Sequence, residues 1–202
     1  MTPFSPDSGC KLLVSVALLI LGVSAGCNNK YCSRSEASTL SMRTTTTTQD
    51  YFVPNGDFEC GLTPWIVQVP DSAITYSIGA PGHTSSNSFQ VKFTPPSART
   101  EQGVSARIIS APVRVTPNVP YQLSFWTYFD NSRAGFIGVM LNNNAIYTID
   151  ATDHGYGGNF TLNTVNYTPT NDTVTIKFEY LFGGASGVSS LDRIDSITFA
   201  PV

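Results

Sequence analysis

Short segments in which apolar and polar residues alternate fill residues 51–202, and clusters of Gly, Pro, Asn and Asp separate them. Alternation with a period of two is typical of half-buried β-strands, and no segment here has the three-and-four spacing of an amphipathic helix. The pattern therefore predicts an all-β domain. The predicted strands are Ile74 to Ile78, Ser88 to Phe93, Ala106 to Ser110, Tyr121 to Phe129, Phe136 to Leu141, Ala145 to Ile149, Thr173 to Phe182 and Ile194 to Ala200.

The number of strands predicts the architecture. Eight or more strands in about 150 residues are typical of a jelly-roll β-sandwich of two antiparallel sheets, and a chain of that size can bury a sufficient core. Two segments, 121–129 and 173–181, each place large apolar residues on one face and mainly polar residues on the other. We expect these two strands to be neighbours that present polar and aromatic side chains together.

The composition excludes several classes of function. Only 12% of the 202 residues are charged, the formal net charge is -3, and no basic cluster is present. A nucleic-acid partner is therefore not expected, because binding to a phosphate backbone requires concentrated positive charge. Two histidines, His83 and His154, and four cysteines are too few and too scattered to predict a zinc site.

The first fifty residues predict export. Residues 1–25 resemble a secretory signal peptide, with an apolar run over 12–23 followed by small residues. The alternative is a retained signal anchor, since Asp7 offsets Lys11 before the apolar run. Residues 26–50 contain five consecutive threonines, Thr44 to Thr48, and predict a disordered, O-glycosylated linker. We expect a secreted protein, extracellular or in a cell wall, with no membrane association after cleavage.

Covalent modification is predicted in two places. Cys27 and Cys32 can close a small loop, or Cys60 can pair with either of them, and the sequence leaves these alternatives open. Three Asn-x-Thr sequons crowd into one stretch, which places that stretch on the surface if the cell glycosylates the chain. The predicted acceptors are Asn159, Asn166 and Asn171.

Four segments in order resemble a known family. The domain opens with Val53-Pro-Asn-Gly-Asp-Phe-Glu-Cys-Gly-Leu-Thr-Pro-Trp65 and closes with Leu191-Asp-Arg-Ile-Asp-Ser-Ile-Thr-Phe199. Between these ends lie Gly82-His-Thr-Ser-Ser-Asn-Ser-Phe-Gln-Val and Pro120-Tyr-Gln-Leu-Ser-Phe-Trp. Together they resemble the CenC-type carbohydrate-binding module, a galactose-binding-like jelly roll often attached to glycoside hydrolases. The resemblance implies this fold over residues 51–202, with a glycan as partner.

The resemblance also implies a structural Ca²⁺ site near the chain ends. The family commonly uses the Glu after Phe and an Asp of the last strand, which correspond to Glu59 and Asp195 here, with Asp57 as a further candidate. Ca²⁺ prefers about six to eight oxygen ligands, so carboxylates and backbone carbonyls suit it. Ser196 stands where the family often has a second Asp. The alternative is that these carboxylates simply face solvent.

A sugar-binding surface needs aromatic rings that stack on pyranose faces and polar groups that bind hydroxyls. Trp126 and Tyr128 are the aromatic candidates, and the polar candidates expected on the same sheet are Gln122, Gln90, Lys92, Lys177 and Glu179. The alternative for Trp126 is that it fills the gap between sheet and loops. Trp65 occupies the position where the family packs a core tryptophan, so a structural role is expected for it.

No motif selects a catalytic group. Neither histidine has a recognisable nucleophile or orienting carboxylate beside it, and no pair of carboxylates is singled out. The prediction is a secreted, non-catalytic module that binds a cell-wall or plant polysaccharide. The alternative is a structural or adhesive surface protein that keeps the jelly roll without binding sugar. Two or more exposed aromatic residues on one sheet or rim would favour the first.

Overall fold

The computed structural model of the chain describes residues 53–95, 103–153, 157–183 and 187–202. The predicted signal peptide, the linker, and Cys27 and Cys32 lie outside these residues, so their predictions, including the disulfide connectivity of Cys60, stay predictions. Every regular element in the described ranges is a β-strand, and none of them contains a helix that could span a bilayer.

Most of the strands form two five-stranded antiparallel sheets. The strands are β1 (Ile66–Gln68), β2 (Ile74–Gly79), β3 (Ser88–Phe93), β4 (Val104–Ile109), β5 (Val113–Arg114), β6 (Tyr121–Phe129), β7 (Phe136–Leu141), β8 (Asn144–Asp150), β9 (Thr161–Tyr167), β10 (Thr173–Val174), β11 (Ile176–Phe182) and β12 (Ser190–Pro201). Sheet 1 has the order β1-β4-β11-β7-β8, and sheet 2 has the order β2-β3-β12-β6-β9. Strands β5 and β10 pair separately. The predicted all-β sandwich of two antiparallel sheets is confirmed.

The core lies between the inner faces of the two sheets. Alternate residues of the central strands are buried there, as the period-two pattern predicts. In β6 these are Tyr121, Leu123, Phe125 and Phe129, and in β10 and β11 they are Val174, Ile176, Phe178 and Tyr180. The predicted core residue Trp65 is 6% exposed, and its indole N–H donates to the carbonyl oxygens of Pro54 and Asn55. Its structural role is confirmed.

One prediction about the sheets is wrong. The segments 121–129 and 173–181 were expected to be neighbours, but β6 belongs to sheet 2 and β11 to sheet 1. Strand β6 pairs with β12 and β9, whereas β11 pairs with β4 and β7. Alternation within a strand shows which residues point inward, but it carries no information on which sheet the strand joins. The polar faces of these two strands consequently lie on opposite sides of the sandwich.

The sequence pattern missed three strands, β1, β5 and β9. Strand β9 is an edge strand whose first two inward positions are the polar residues Thr161 and Asn163, and whose outward Leu162 is 49% exposed. Asn163 is only 3% exposed because its amide donates to the Thr127 hydroxyl and the Thr161 carbonyl. A polar residue whose hydrogen bonds are made inside the core takes an inward position where an apolar residue is expected. The alternation by which strands are identified is then lost.

Candidate functional site

The outer face of sheet 2 carries the aromatic candidates, and we call it the aromatic face. Trp126 and Tyr128 of β6 lie opposite Asp195 and Arg193 of β12, and Gln90 of β3 lies on the other side of Arg193. Tyr128, Arg193 and Gln90 therefore form one row across three strands. Gln122 is also on this face, with its amide donating to Asn166 at 3.2 Å.

A loop covers the middle of the aromatic face. Residues 80–87, which connect β2 to β3 and which we call the crossing loop, lie over β12. The Arg193 guanidinium donates to the carbonyl oxygens of Gly79 at 3.3 Å and Ala80 at 2.9 Å, and to the Ser88 hydroxyl at 3.2 Å. The loop itself turns tightly at Gly82, where a side chain would collide with the carbonyl oxygens of Ser85 and Asn87. These bonds fix the loop against the sheet.

The rings of the aromatic face already have partners within the protein. His83 of the crossing loop stacks on Trp126 with ring centroids 3.5 Å apart and planes at 15°. Phe160 contacts both His83, at 5.8 Å, and Tyr128, at 5.6 Å. The Arg193 guanidinium lies 5.5 Å from the Tyr128 ring centroid. The burial that this packing imposes lowers the pKa of His83. One face of the Trp126 ring is therefore occupied.

Acidic side chains hold the crossing loop at both of its edges. Asp195 is fully buried and accepts from the backbone N–H groups of His83 and Ser196, each at 2.6 Å. Glu59 accepts from the backbone N–H of Asn87 at 2.6 Å. Burial raises the pKa of Asp195 to about 6; the two N–H donors oppose this shift, and the charges of Asp57 and Glu59 add to it.

The three acids assigned to calcium are thus close enough to influence one another. Their oxygen chemistry suits Ca²⁺, and their mutual repulsion is the kind that a cation relieves. However, the described ranges hold no group of three or more His, Cys, Asp or Glu side chains arranged to bind a metal ion. Asp195 and Glu59 also accept hydrogen bonds from the crossing loop. The residues fit the ion in donor type and charge but not as a complete set of side-chain ligands.

The outer face of sheet 1 is built differently, and we call it the ion-pair face. Arg107 of β4 and Glu179 of β11 are directly opposite each other, and the Arg107 Nε donates to Glu179 Oε1 at 2.6 Å. Arg107 Nη2 lies 2.5 Å from the same oxygen, which leaves Oε2 unoccupied by the guanidinium. The Arg107 side chain is 44% exposed, and the Glu179 side chain is 10% exposed. The pair therefore lies open to solvent mainly on the arginine side.

The ion pair belongs to a straight row that crosses sheet 1. The strand registers align Gln68, Arg107, Glu179, Gly138 and Thr148 across β1, β4, β11, β7 and β8. A side chain built on Gly138 would have no neighbour closer than 3.8 Å, so the row is open beside Glu179. Because neighbouring strands lie about 4.8 Å apart, the row is roughly 19 Å long.

Apolar side chains flank this polar row. On one side the aligned positions are Ile66, Ile109, Lys177, Met140 and Ala145, and on the other they are Ser105, Leu181 and Phe136. Ile66 is 58% exposed and Phe136 is 38% exposed. At the β1 end, Gln68, Pro70, Ser105 and Arg107 line a cavity of about 360 Å³. The face combines hydrogen-bonding groups in its centre with apolar surface on both sides.

The predicted binding residues are therefore divided between two faces. Trp126, Tyr128, Gln122, Gln90 and Lys92 belong to sheet 2. Glu179 and Lys177 lie on sheet 1, so the expectation that they share a sheet with Trp126 is wrong for the reason given above, that β6 and β11 belong to different sheets. The exposed aromatic residues in the described ranges, Tyr76 and Phe136, are also on different sheets.

Sequence reasoning missed Arg107 and the row to which it belongs. A signal was present, because Arg107 and Glu179 are single charges between apolar neighbours in two predicted strands. Opposite charges in such positions are typical of cross-strand pairs. The predicted acceptors Asn159, Asn166 and Asn171 are all exposed, and Asn166 lies on the aromatic face at the edge strand β9.

Comparison with known proteins gives a family match. A family model described as a carbohydrate binding domain matches residues 50–190. The match ends before most of β12, so it includes Glu59 but not Asp195. No curated protein matches the chain.

Solved structures share the fold at low sequence identity. The K3 adhesin domain of Lys-gingipain from Porphyromonas gingivalis is 17% identical over 74% of this chain and 99% of that chain, with a TM-score of 0.54. An arabinose-bound α-L-arabinofuranosidase is 16% identical over 74% of this chain but only 26% of its own, with a TM-score of 0.50. TmCBM61 in complex with β-1,4-galactotriose is 16% identical over 73% and 96% of the two chains, with a TM-score of 0.45.

Proposed function

Since the chain belongs to the carbohydrate binding domain family, we propose that it is a secreted, non-catalytic module that binds a neutral cell-wall or plant polysaccharide through the ion-pair face. The observation that carries the proposal is the open row around Arg107 and Glu179. It offers a carboxylate oxygen and guanidinium N–H groups to sugar hydroxyls. The flanking apolar side chains match the C–H surfaces of the sugar rings.

The charges of the ion-pair face favour a neutral ligand. Arg107 is neutralised by Glu179. Lys177 and Asp150 add one charge of each sign to this face, on opposite sides of the polar row. A uronic or sulfated polymer would therefore meet no excess of positive charge. Phe136 is the one exposed aromatic ring among the described residues of this face, so hydrogen bonds rather than ring stacking supply most of the affinity.

The proposal is tested with the full chain on a panel of β-1,4-galactan, arabinoxylan, mixed-linkage β-glucan and cellulose. The blocking variant is Gly138→Val, which adds a side chain to the open part of the row without touching the core. Its matched control is Thr198→Val, at an exposed position of the aromatic face. Retention of the wild type and the control, with loss in Gly138→Val, is expected. Retention of Gly138→Val together with loss in the control would place binding on the other face.

The second candidate is a structural or adhesive surface protein that keeps the fold without binding sugar. One observation favours it: the described residues do not place two exposed aromatic side chains on the same sheet. A folded wild-type chain that none of the four polysaccharides retains would support this candidate. A third possible outcome is binding on the aromatic face, as first predicted, through Trp126, Tyr128, Gln122 and Gln90. Loss of binding in Thr198→Val would indicate it.

We also propose that Ca²⁺ binds weakly beside the crossing loop and stabilises it. Glu59, Asp57 and Asp195 would hold the ion together with backbone carbonyl oxygens, and the ion would neutralise their mutual repulsion. A ligand that binds the folded chain and not the unfolded chain stabilises it by RT ln(1 + [L]/Kd), which raises the midpoint of thermal unfolding. We expect 5 mM CaCl₂ to raise the unfolding temperature of the wild type, by roughly 2–4 °C for each 1 kcal/mol of binding energy, and not that of Glu59→Gln. An equal response in both would contradict the site.

A further inference from the structure

Three polar side chains lie inside the sandwich with no hydrogen-bond partner among the described residues. Asp192 and Ser190 point inward from β12, and Tyr180 points inward from β11 in the opposite sheet. Their exposures are 0%, 1% and 0%. Within the described residues, both carboxylate oxygens of Asp192 and the hydroxyls of Ser190 and Tyr180 have no hydrogen-bond partner. Such groups are rare in folded proteins, because each loses its hydration without compensation.

The surroundings of Asp192 disfavour a charge. Its register partners are the apolar residues Val91 on β3 and Phe129 on β6. The charge of Asp130, which follows β6, acts on the titration of Asp192, and the charge of Asp192 acts in turn on Tyr180 of sheet 1. Arg193, the adjacent cation, points to the aromatic face and binds the crossing loop instead. An ionised Asp192 would therefore be a buried charge with no described counter-ion, which is a costly arrangement.

The direction of the protonation equilibrium follows from this burial. Desolvation, with a further contribution from the negative charge of Asp130, raises the pKa of Asp192 well above that of an exposed aspartate. Burial, together with the charge of Asp192, also raises the pKa of Tyr180. Both shifts favour the neutral form of the group concerned.

The cluster lies directly beneath the ion-pair face. Tyr180 precedes Leu181 and follows Glu179 in β11, and these two neighbours project from the opposite side of the strand. A displacement of the Tyr180 backbone would therefore also displace the backbone of Glu179. The buried cluster is thus linked through β11 to the polar row of the ion-pair face.

We propose that Asp192 is an internal proton switch: as a neutral acid it lets β11 and β12 pack closely, and when ionised it loosens that contact and weakens ligand binding at Glu179. The effect on stability stands on the buried cluster alone, while the effect on binding rests on the proposed function. The folded chain binds the proton more tightly than the unfolded chain does, so stability is full below the unfolded pKa of about 3.9 and falls as pH rises above it.

The stability part is tested by thermal unfolding of the full chain between pH 4 and pH 9. The test variant is Asp192→Asn, which has the shape of the neutral acid, and the control is Asp130→Asn at an exposed site. We expect the unfolding temperature of Asp192→Asn to exceed that of the wild type at pH 8 by roughly 2–4 °C or more and to match it at pH 4. Asp130→Asn removes only the smaller cause of the Asp192 shift and keeps its burial, so its unfolding temperature should still fall with rising pH, by less than in the wild type. Parallel profiles of the wild type and Asp192→Asn would overturn the proposal.

A second measurement is made on the wild type alone, so it does not depend on whether the Asp192→Asn variant folds. The ¹³Cγ chemical shift of Asp192 in the wild type reports its protonation directly. A protonated carboxyl at pH 6 supports the switch, and an ionised one overturns it.

The binding part is tested on the same four polysaccharides at pH 5 and pH 8. We expect wild-type retention to fall at least about threefold at pH 8, while Asp192→Asn retains equally at both pH values. Equal retention of the wild type at both pH values overturns this part. If no polysaccharide retains either protein while their unfolding profiles diverge, the proposed function and the binding part fail and the stability part stands.

Discussion

The two outer faces of this sandwich use similar residue types in opposite ways. On the aromatic face, Arg193 is 7% exposed and binds the crossing loop, and Trp126 is stacked against His83. On the ion-pair face, Arg107 pairs with Glu179 and remains 44% exposed, beside the open position of Gly138. The aromatic face uses its aromatic and charged groups to hold a loop, whereas the ion-pair face leaves its arginine exposed to solvent.

The difference shows that an outward position in a strand does not make a side chain available. Trp126 and Tyr128 point away from the core, as their alternation predicts, yet loop residues lie against them. Large aromatic residues stabilise any surface that covers them, so they are suited both to ligand binding and to loop packing. The loops that cross a sheet decide between these uses.

Arg193→Ala is expected to cause the largest effect. Removing the guanidinium leaves the carbonyls of Gly79 and Ala80 without their donor and frees the crossing loop, at a cost of roughly 3 kcal/mol in unfolding free energy. Urea denaturation measures this loss. The control is Lys92→Ala, an exposed position on the neighbouring strand, which should change stability by less than about 0.5 kcal/mol. Equal stability of the two variants would mean that the loop does not depend on Arg193.

Trp126→Ala tests whether the aromatic ring stabilises the protein or contacts the ligand. Loss of the stacking with His83 and of half-buried apolar area should destabilise the protein by about 2 kcal/mol while leaving polysaccharide binding unchanged. Urea denaturation and affinity electrophoresis on the same sample separate the two effects. A folded variant that no longer binds would show that Trp126 contacts the ligand.

Glu179→Gln tests the open face directly. The amide keeps the size of the side chain but removes the charge that orients Arg107, so affinity should fall about tenfold, or 1.4 kcal/mol. Isothermal titration on the best-retained polysaccharide measures the change. Gln122→Ala on the aromatic face serves as the control, and its affinity should equal that of the wild type. Reversal of these two results would exchange the roles of the faces.

The smallest effect is expected from Asn166→Gln in a host that glycosylates secreted proteins. Asn166 is exposed on the aromatic face, so a glycan there would cover that face and leave sheet 1 unobstructed. Loss of one glycan should be visible by mass spectrometry with no change in polysaccharide binding. A rise in affinity after removal of the glycan would indicate that the ligand occupies the aromatic face.

The fold could be predicted because its signal is local. Strands β3, β6 and β7 have the predicted bounds, and the apolar core residues of β6 and β11 are those that alternation selects. Strand β9 was missed because the polar residue Asn163 is buried in the core, where its amide donates to the Thr127 hydroxyl. Local periodicity cannot detect a buried polar residue whose partner is distant in the sequence.

The candidate site was predicted less well, because it depends on contacts between distant strands. Glu179 was identified, but its partner Arg107 is 72 residues away and belongs to a strand whose sheet could not be assigned. The covering of Trp126 depends on His83, and the anchoring of that residue to Asp195 spans 112 residues. Only the three-dimensional structure brings these pairs together.

The most direct test is to map the bound polysaccharide by NMR. Backbone amide resonances of the ¹⁵N-labelled chain would be followed while an oligosaccharide of the best-retained polymer is added. Our account predicts that the largest shifts occur at Arg107, Gly138 and Glu179, with little change at Gln90, Gln122 and Thr198. Shifts concentrated in the second group, with the first unchanged, would contradict it.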